Sequence, residues 1–436
     1  MSAAPAGGDA RGTISTGRDG ARPARDGQPG LTAATAAEAN HARLLDRPLT
    51  SYYLVLGITV LLLVLGLVMV LSTSSAQELD NGGATYAGFQ KQLVGVVAGL
   101  PLMWLAARSS PAIFRLAAYP LIIASVLGLL AVLAVGNTVD GAERWIQVAG
   151  FQLQPSEFAK LAFVLWGADL LARKEKLGQL TDWRQLLVPL MPGAAILCML
   201  VMLGDDLGTT FLLLIIFLAL LWVIGTPARV FVGMLGLLLF IMIILIMVAP
   251  YRLERITGFL NPQAQASSAG WQSIQGKYAV GSGGLFGVGL GASRAKWGWV
   301  PNSPTDFIFA ILGEELGLIG TVCVTLLYGG LAYAGLRIAR RVPDTFMRLA
   351  AAAATTWIVV QALVNIGAVI GLLPITGVPL PLVSAGLSSL LVTMAALGML
   401  MSFAKREPGA RQALAAAGPA APLRVLSWLG LAGRRR

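Results

Sequence analysis

The sequence predicts an all-α polytopic membrane protein with about ten transmembrane helices and one large extracytoplasmic loop. Hydrophobic residues make up 56% of the chain and charged residues 12%, and the mean hydropathy of +0.75 is too high for a soluble globular protein. Apolar stretches long enough to cross a bilayer recur along the sequence. One long polar passage, residues 252–306, interrupts them.

Composition divides the chain into a membrane domain between two tails. Residues 1–47 are rich in Ala, Gly, Arg, Asp and Pro, which predicts a disordered cytoplasmic tail. Residues 48–404 form the predicted transmembrane domain, with its extracytoplasmic loop at 250–306, and residues 405–436 form a second cytoplasmic tail. The ten predicted spans are 53–71, 93–107, 113–135, 158–171, 186–203, 210–224, 230–248, 307–336, 349–373 and 382–403.

The distribution of basic residues predicts the orientation in the membrane. The net charge of +11 comes from Lys and Arg dispersed over short loops and both tails, which argues against a nucleic-acid surface. With ten spans, most of the loop cations fall on the side of the N-terminal tail. The positive-inside rule therefore predicts that both termini are cytoplasmic and that the 250–306 loop faces outward from the plasma membrane.

Several classes of site are excluded by residue counts. Cys198 and Cys323 both lie in apolar runs, which indicates neither a disulfide framework nor a thiolate metal site. His41 is the single histidine of the sequence and lies in the N-terminal tail. Histidine-based metal sites and Ser-His-Asp catalysis are thereby excluded.

Ionisable residues beside the fourth span are candidates for function, because charges within a membrane are costly. Glu157 and Lys160 are three positions apart on a helix predicted to start near Pro155, so they share a face and can form an ion pair. They either serve a ligand or simply neutralise each other. Arg144, near the outer face of the membrane, is suited to holding a phosphate bidentately.

Further candidates lie in the second half of the chain. Glu314 and Glu315 sit about two turns inside an apolar helix, where they either pair with a buried cation such as Lys160 or titrate with a raised pKa. The glycine-rich residues 281–291 lack the Gly-Lys-Ser/Thr ending of a nucleotide loop, and predict sharp bends and close backbone approach to a ligand.

Two polar features next to the membrane have a structural alternative to a functional role. Asp205 and Asp206 lie in the turn between spans five and six, where paired carboxylates bind cations or transfer protons but more commonly form a solvated turn. Ser156 is predicted to cap the helix that carries Glu157.

Three motifs resemble the SEDS family of polytopic glycosyltransferases that build bacterial peptidoglycan. They are RWIQVAGFQLQPSEFAKLA after Glu143, GSGGLFGVGLGASRAKWGWVPNSPTDFIFAILGEELGLIG from Gly281 and NIGAVIGLLPITGVPLPLVSAGLSS from Asn365. They occur in the order typical of the family, and the resemblance covers about residues 53–403. The pattern resembles the cell-division branch more closely than the elongation branch, and the Ala/Arg-rich tails resemble actinobacterial members.

The resemblance implies an enzyme that polymerises lipid II, together with a class B penicillin-binding transpeptidase and other divisome proteins. An acceptor hydroxyl attacks the anomeric carbon of the donor, which requires a base and positive charge on the leaving diphosphate. Arg144 and Lys160 match the cationic positions of the family, and Glu157 would orient Lys160. A divalent cation would assist the diphosphate, although nothing in the sequence specifies one.

The sequence departs from the family pattern where the base is expected. Active members carry an Asp at the position of Gln265, and an amide cannot accept a proton as a carboxylate does. Pro304 and Leu387 are further departures, and Asp306 remains as a substitute base. Two alternatives stay open: a catalytically impaired paralogue that acts as a division scaffold, or a lipid II flippase in which Glu157, Lys160, Glu314 and Glu315 form a polar pathway.

Overall fold

A computed structural model of the protein describes residues 49–80, 85–139, 142–148, 151–178, 183–263 and 269–410. The predicted N-terminal tail, most of the C-terminal tail and Gln265 lie outside the described residues.

Helices dominate the described part of the chain. In chain order they are α1 (Thr50–Asp80), α2 (Ala87–Arg108), α3 (Pro111–Val135), α4 (Pro155–Lys176), α5 (Trp183–Leu187), α6 (Leu190–Leu203), α7 (Leu207–Val223), α8 (Ala228–Val248), α9 (Pro250–Leu260), α10 (Ala269–Ser282), α11 (Ile308–Arg341), α12 (Thr345–Val369) and α13 (Leu387–Ala404).

Seven helices of the described structure, α1, α2, α3, α8, α11, α12 and α13, are long and apolar enough to cross a membrane. Helices α6 and α7 are apolar but shorter, at 14 and 17 residues. Helix α4 has 22 residues and carries several charges. A helix lies at each of the ten predicted segments, and segment 186–203 is divided between α5 and α6. The mostly helical architecture with multiple apolar spans is confirmed.

A small sheet between α3 and α4 corrects the all-α prediction. Strands β1 (Asn137–Val139), β2 (Ala142–Val148) and β3 (Phe151–Leu153) form an antiparallel sheet in that order. Ile146 on β2 lies opposite Leu153 on β3. Pairing satisfies the backbone hydrogen bonds of a connection too polar to enter the membrane. The hairpin formed by β2 and β3 leads directly into α4.

Helices α12 and α13 form the centre of the helical core. Residues Ala350, Ala351, Ala352, Ala353 and Ala354 are all buried, and these small side chains let α12 approach its neighbours closely. Helix α12 packs against α4, α7 and α11, and α13 packs along α2. Helix α8, in contrast, has no buried residue within the described structure, as expected of a surface that faces lipid.

Helix α11 is interrupted at Gly317, whose φ of 67° and ψ of −164° are not helical. The interruption frees backbone groups that need partners inside a membrane. The glycine-rich segment that follows α10 supplies those partners through backbone hydrogen bonds. They join Val288 N to Glu314 O (2.9 Å), Gly289 N to Glu315 O (3.1 Å), Leu318 N to Gly284 O (2.9 Å) and Ile319 N to Leu285 O (3.2 Å).

Two glycines make this close approach possible. A Cβ atom added at Gly283 would lie 2.0 Å from the Gly313 carbonyl oxygen, and one added at Gly287 would lie 2.1 Å from the Glu315 carbonyl oxygen. The close backbone approach predicted for this segment at Gly283 and Gly287 is therefore made to α11 rather than to a ligand.

The two carboxylates near the break have partners other than the predicted one. Glu315 Oε1 accepts hydrogen bonds from Ser72 Oγ at 2.6 Å and from Lys296 Nζ at 3.3 Å. Glu314 accepts from Ser293 Oγ at 2.5 Å and from two backbone N–H groups of the same loop. Glu315 therefore pairs with a buried cation as predicted, but the cation is Lys296 rather than Lys160, because the loop packed on the break brings Lys296 to α11.

Gly287 and Gly291 provide a matched test of this packing. Both have φ of 79°, but a Cβ atom at Gly291 meets nothing within 4 Å. Either change to Ala has a conformational cost of about 1–2 kcal/mol, and only Gly287→Ala adds the clash with α11. We expect Gly287→Ala to lower the thermal unfolding midpoint several degrees further than Gly291→Ala does. Equal shifts for the two variants would contradict this packing.

Candidate active-site cavity

A cavity of about 550 Å³ opens between the N-terminal ends of α2 and α13. The β2–β3 hairpin and the loops before α11 and α13 complete its walls. Its polar lining residues are Lys91, Gln92, Arg144, Gln147, Gln152, Gln154, Arg255, Asn302, Thr305, Asp306, Ser388 and Ser389.

The charges of the cavity favour an anionic ligand. Among its described lining residues, Lys91, Arg144 and Arg255 are cations and Asp306 is the single carboxylate. Three positive charges against one negative charge leave an excess of two. The remaining amide and hydroxyl groups are neutral donors and acceptors, as sugar hydroxyls and peptide groups require.

Asp306 is positioned by the loop that ends at α11. Its backbone carbonyl accepts a hydrogen bond from Asn365 Nδ2 at 2.8 Å. A Cβ atom at Gly377 would lie 3.5 Å from Asp306 Oδ2 and 4.0 Å from Arg255 Nη1. The Asp306 carboxylate and the Arg255 guanidinium therefore both lie beside Gly377, whose φ of +72° favours glycine.

Arg144 is held by the turn between α6 and α7. Its Nε donates to Gly204 O at 3.3 Å, and its Nη2 donates to Asp205 O. Arg252 binds the same turn, with Nη2 2.7 Å from Asp205 Oδ1, and its Nη1 donates to Leu245 O at 2.8 Å. The turn thus fixes the cavity arginine and fastens the end of α8 to the core.

Asp206 ties the starts of α4 and α7 together behind the cavity. Its Oδ1 caps α7 by accepting from Thr209 N at 2.9 Å. Its Oδ2 accepts from Gln154 Nε2 at 2.9 Å and from Ser156 Oγ at 3.3 Å. Asp206 is 5% exposed, so the prediction of a solvated turn is wrong for this residue. Ser156 does not cap α4, since Gln154 is the N-cap residue.

Glu157 and Lys160 form the predicted ion pair, with 2.8 Å between Lys160 Nζ and Glu157 Oε1. Lys160 is wholly buried, and neither side chain is among the described residues that line the cavity. Lys160 Nζ also donates to Gln361 Oε1 at 3.0 Å, and Gln361 Nε2 donates to the carbonyl of Pro379 at 3.0 Å. Pro379 lines the cavity, so the pair reaches its wall through one side chain.

Sequence reasoning missed the polar face of α12 that makes these contacts. Trp357, Gln361 and Asn365 repeat every four residues, and Trp357 Nε1 donates to Gln361 Oε1 at 2.8 Å. Asn365 Nδ2 donates to the carbonyls of Asp306 and Val378, both at 2.8 Å. The sequence signal that could have identified this face is the recurrence of amide side chains on one side of an apolar helix.

Lys91 and Arg255 were also missed as cavity residues. Both belong to segments on the predicted outward side, where the positive-inside rule disfavours cations. A cation in an outward segment is therefore the signal that could have found them.

Residues 52–408 match the model of the FtsW/RodA/SpoVE family, described as cell cycle proteins. The chain belongs to this family. The SEDS resemblance predicted from the three motifs is confirmed, and the chain is an integral membrane protein.

Curated relatives and solved structures agree with the family. The chain is 42% identical to the probable peptidoglycan glycosyltransferase FtsW of Mycobacterium tuberculosis, over 85% of this chain and 71% of that protein. It is 37% identical to the stage V sporulation protein E of Bacillus subtilis, over 80% and 95%. The mycobacterial relative also agrees with the predicted division-branch and actinobacterial resemblance.

Two solved structures share the fold. A peptidoglycan synthase complex, described by its coordination of polymerization and crosslinking, matches with a TM-score of 0.66 and 28% identity, over 81% of this chain and 97% of that one. The rod shape determining protein RodA of Thermus thermophilus matches with a TM-score of 0.57 and 27% identity, over 84% and 99%.

The buried ion pair predicts a non-additive response to mutation. Lys160→Met leaves the Glu157 carboxylate buried without its cation, a change that typically costs about 3–5 kcal/mol. The double variant Glu157→Gln with Lys160→Met removes both charges, and we expect it to be the more stable of the two in thermal unfolding. Lys176→Met, at the exposed end of the same helix, is the control. A double variant less stable than Lys160→Met would contradict the pairing.

Proposed function

We propose that the chain is a membrane peptidoglycan glycosyltransferase that polymerises lipid II into glycan strands during cell division. The observation that carries the proposal is the cavity, whose described lining residues include three cations and one carboxylate, Asp306. The FtsW relative, named a probable peptidoglycan glycosyltransferase, supports the enzyme class. Lipid II presents a diphosphate, two sugars and a peptide, which suit the cationic and amide-rich lining.

The proposed reaction is an inverting transfer between two lipid-linked glycans. The acceptor hydroxyl oxygen forms a bond to the anomeric carbon of the donor, as the bond from that carbon to the diphosphate oxygen breaks. The hydroxyl proton passes to a base within hydrogen-bonding reach. We assign this role to Asp306, because it is the single carboxylate among the described lining residues. Gln265, an amide, would orient a sugar hydroxyl.

The leaving diphosphate needs positive charge that is already in position when its own charge develops. Arg144 meets this requirement, because the carbonyls of Gly204 and Asp205 fix its guanidinium before a ligand arrives. Arg255 and Lys91 contribute the other two charges. Glu157 and Lys160 support the site indirectly, since Lys160 orients Gln361 and Gln361 holds the carbonyl of Pro379.

The donor set gives no support to a dedicated metal site. No group of three or more His, Cys, Asp and Glu side chains comes together among the described residues. One carboxylate beside three cations does not form the oxygen-rich cage that divalent cations require. No step of the proposed reaction is therefore assigned to a metal.

The proposed topology has ten crossings, a membrane domain at 48–404 and cytoplasmic tails at 1–47 and 405–436. Helices at all ten predicted segments support the count, and the cations of the alternate loops support the orientation. The cavity and the 250–306 loop then face outward, where the glycan strand is assembled. The proposed partners are a class B penicillin-binding transpeptidase and other divisome proteins, which similarity to a peptidoglycan synthase complex supports.

A division scaffold is the second candidate, and Gln265 is the observation that favours it. Without a carboxylate at this position, polymerisation depends on Asp306. A lipid II flippase is the third, and lipid transfer across vesicles without polymer would support it.

Polymerisation of labelled lipid II by the purified full chain, with its transpeptidase partner, separates these functions. Because Asp306 is the proposed base, Asp306→Asn should reduce the polymerisation rate by roughly 10²-fold or more. Glu254→Gln is the matched control, since Glu254 is an exposed carboxylate of the same loop region outside the cavity lining. Polymer formed only after Gln265→Asp would support the scaffold instead.

Arg255 gives a second test of the cavity. Arg255→Gln removes one charge-assisted hydrogen bond to the diphosphate, and we expect it to lower kcat/KM roughly 10- to 100-fold. The decrease should fall mainly on kcat, because negative charge grows in the transition state. Arg294→Gln, an exposed cation outside the cavity lining, should keep the wild-type kinetics. An unchanged kcat for Arg255→Gln would exclude Arg255 from the site.

A further inference from the structure

The glycine-rich segment beside α11 exposes a group of apolar side chains. Phe286 is 80% exposed, and Leu285, Val288 and Leu290 are exposed as well. All four lie within residues 285–290, so the exposed apolar surface is continuous along the chain. A single exposed apolar residue needs no explanation, whereas a contiguous group marks a surface that meets another apolar molecule or phase.

This apolar surface continues onto α11. Backbone hydrogen bonds place residues 284–289 beside residues 314–319, which include the break at Gly317. After the break, α11 has a series of exposed apolar side chains, as expected of a helix side that faces lipid. They are Leu318, Ile319, Val322, Leu326, Tyr333 and Leu336. The segment therefore lies where the lipid-facing side of α11 begins.

Two helix lengths give the level of the break in the membrane. The exposed apolar side of α11 runs from Leu318 to Leu336, about 27 Å at the rise of an α-helix, which matches the hydrocarbon core of a bilayer. Independently, Ser72 Oγ of α1 donates to Glu315 Oε1 at 2.6 Å. Ser72 lies about 33 Å along α1 from Thr50, where that helix begins. Both lengths put the break at one boundary of the hydrocarbon core.

This boundary is on the side of the active-site cavity, because Asp306 lines the cavity and lies just before the start of α11. Aromatic side chains mark the same level. Trp297 and Trp299 are exposed, and Trp299 stacks on Trp271 with 6.4 Å between the ring centroids. Exposed Trp beside an apolar band is typical of the interface between acyl chains and headgroups.

We propose that residues 285–290 insert among the acyl chains of the leaflet on the side of the cavity and anchor the loop there. The exposed apolar surface is covered by lipid, because it continues the lipid-facing side of α11 at the depth where the acyl chains begin. Backbone polar groups at that depth need partners within the protein. Four residues of the segment have backbone hydrogen bonds to α11: Gly284, Leu285, Val288 and Gly289.

A buried ion pair holds the far end of the inserted segment. Lys296 Nζ lies 3.3 Å from Glu315 Oε1, and it donates to Ser72 Oγ at 2.9 Å and to the carbonyl of Gly291 at 2.7 Å. Gly291 directly follows Leu290, so the protein holds the apolar residues from both sides in one orientation. The anchor is a property of the fold and is independent of the proposed glycosyl transfer.

Spin labels on single cysteines measure the depth of the segment in the bilayer. The full chain, with Cys198 and Cys323 replaced by Ala, is placed in phosphatidylcholine nanodiscs. Oxygen concentrates among acyl chains and a nickel complex stays in water. The ratio of collisions with oxygen to collisions with nickel should be several-fold higher for a label at Phe286→Cys than at Arg294→Cys, and close to that at Leu326→Cys. Arg294 is the matched control, because it is exposed in the same loop and its backbone N–H binds Glu314, on the water side of the break.

Leu290→Cys is a second labelling site, and it decides the test if Phe286→Cys does not fold. A ratio equal to that of Arg294→Cys would place the segment in water and overturn the proposal. A label shielded from both reagents would show that protein covers the segment, which also overturns it. A label that is accessible to water in the chain alone, and shielded after the transpeptidase partner is added, would identify a protein docking surface and overturn the assignment to lipid.

Discussion

Gln361 joins the buried charges of this protein to the wall of its cavity. Its amide oxygen accepts from Lys160 Nζ, and its amide nitrogen donates to the carbonyl of Pro379. Lys160 is in turn neutralised by Glu157. Inside a membrane these groups cannot form hydrogen bonds with water, so each needs a hydrogen-bond partner in another part of the protein. That requirement fixes α4, α12 and the loop before α13 relative to one another.

The same need for hydrogen-bond partners inside the protein explains how the break in α11 is stabilised. At Gly317 the chain leaves helical geometry, and the backbone groups of Glu314 and Glu315 on one side of the break must find partners. The glycine-rich segment provides them because Gly283 and Gly287 have no side chain in the way. The described glycine-rich part of the polar loop thus packs on α11, and that packing brings Lys296 to Glu315.

Much of the architecture could be predicted because hydropathy reports directly on the bilayer. All ten apolar segments correspond to helices, and the spacing of Glu157 and Lys160 gave their pairing correctly. The sheet before α4 was not predicted, since its three short strands lie in a polar connection between two apolar segments. Lys91 and Arg255 escaped as well, because a cation's position in the sequence does not reveal which cavity it lines.

The sequence by itself determined the class of protein, the positions of the helices and the family, because each depends on local hydropathy or on contiguous motifs. Tertiary structure alone decided which charges from separate segments of the chain meet. Lys160 is close in sequence to Arg144, yet the Lys160 side chain is buried where α4 meets α12, whereas Arg144 lines the cavity. Asp306 reaches that cavity together with residues from distant helices. Such encounters depend on how the helices pack, which no single segment of the chain encodes.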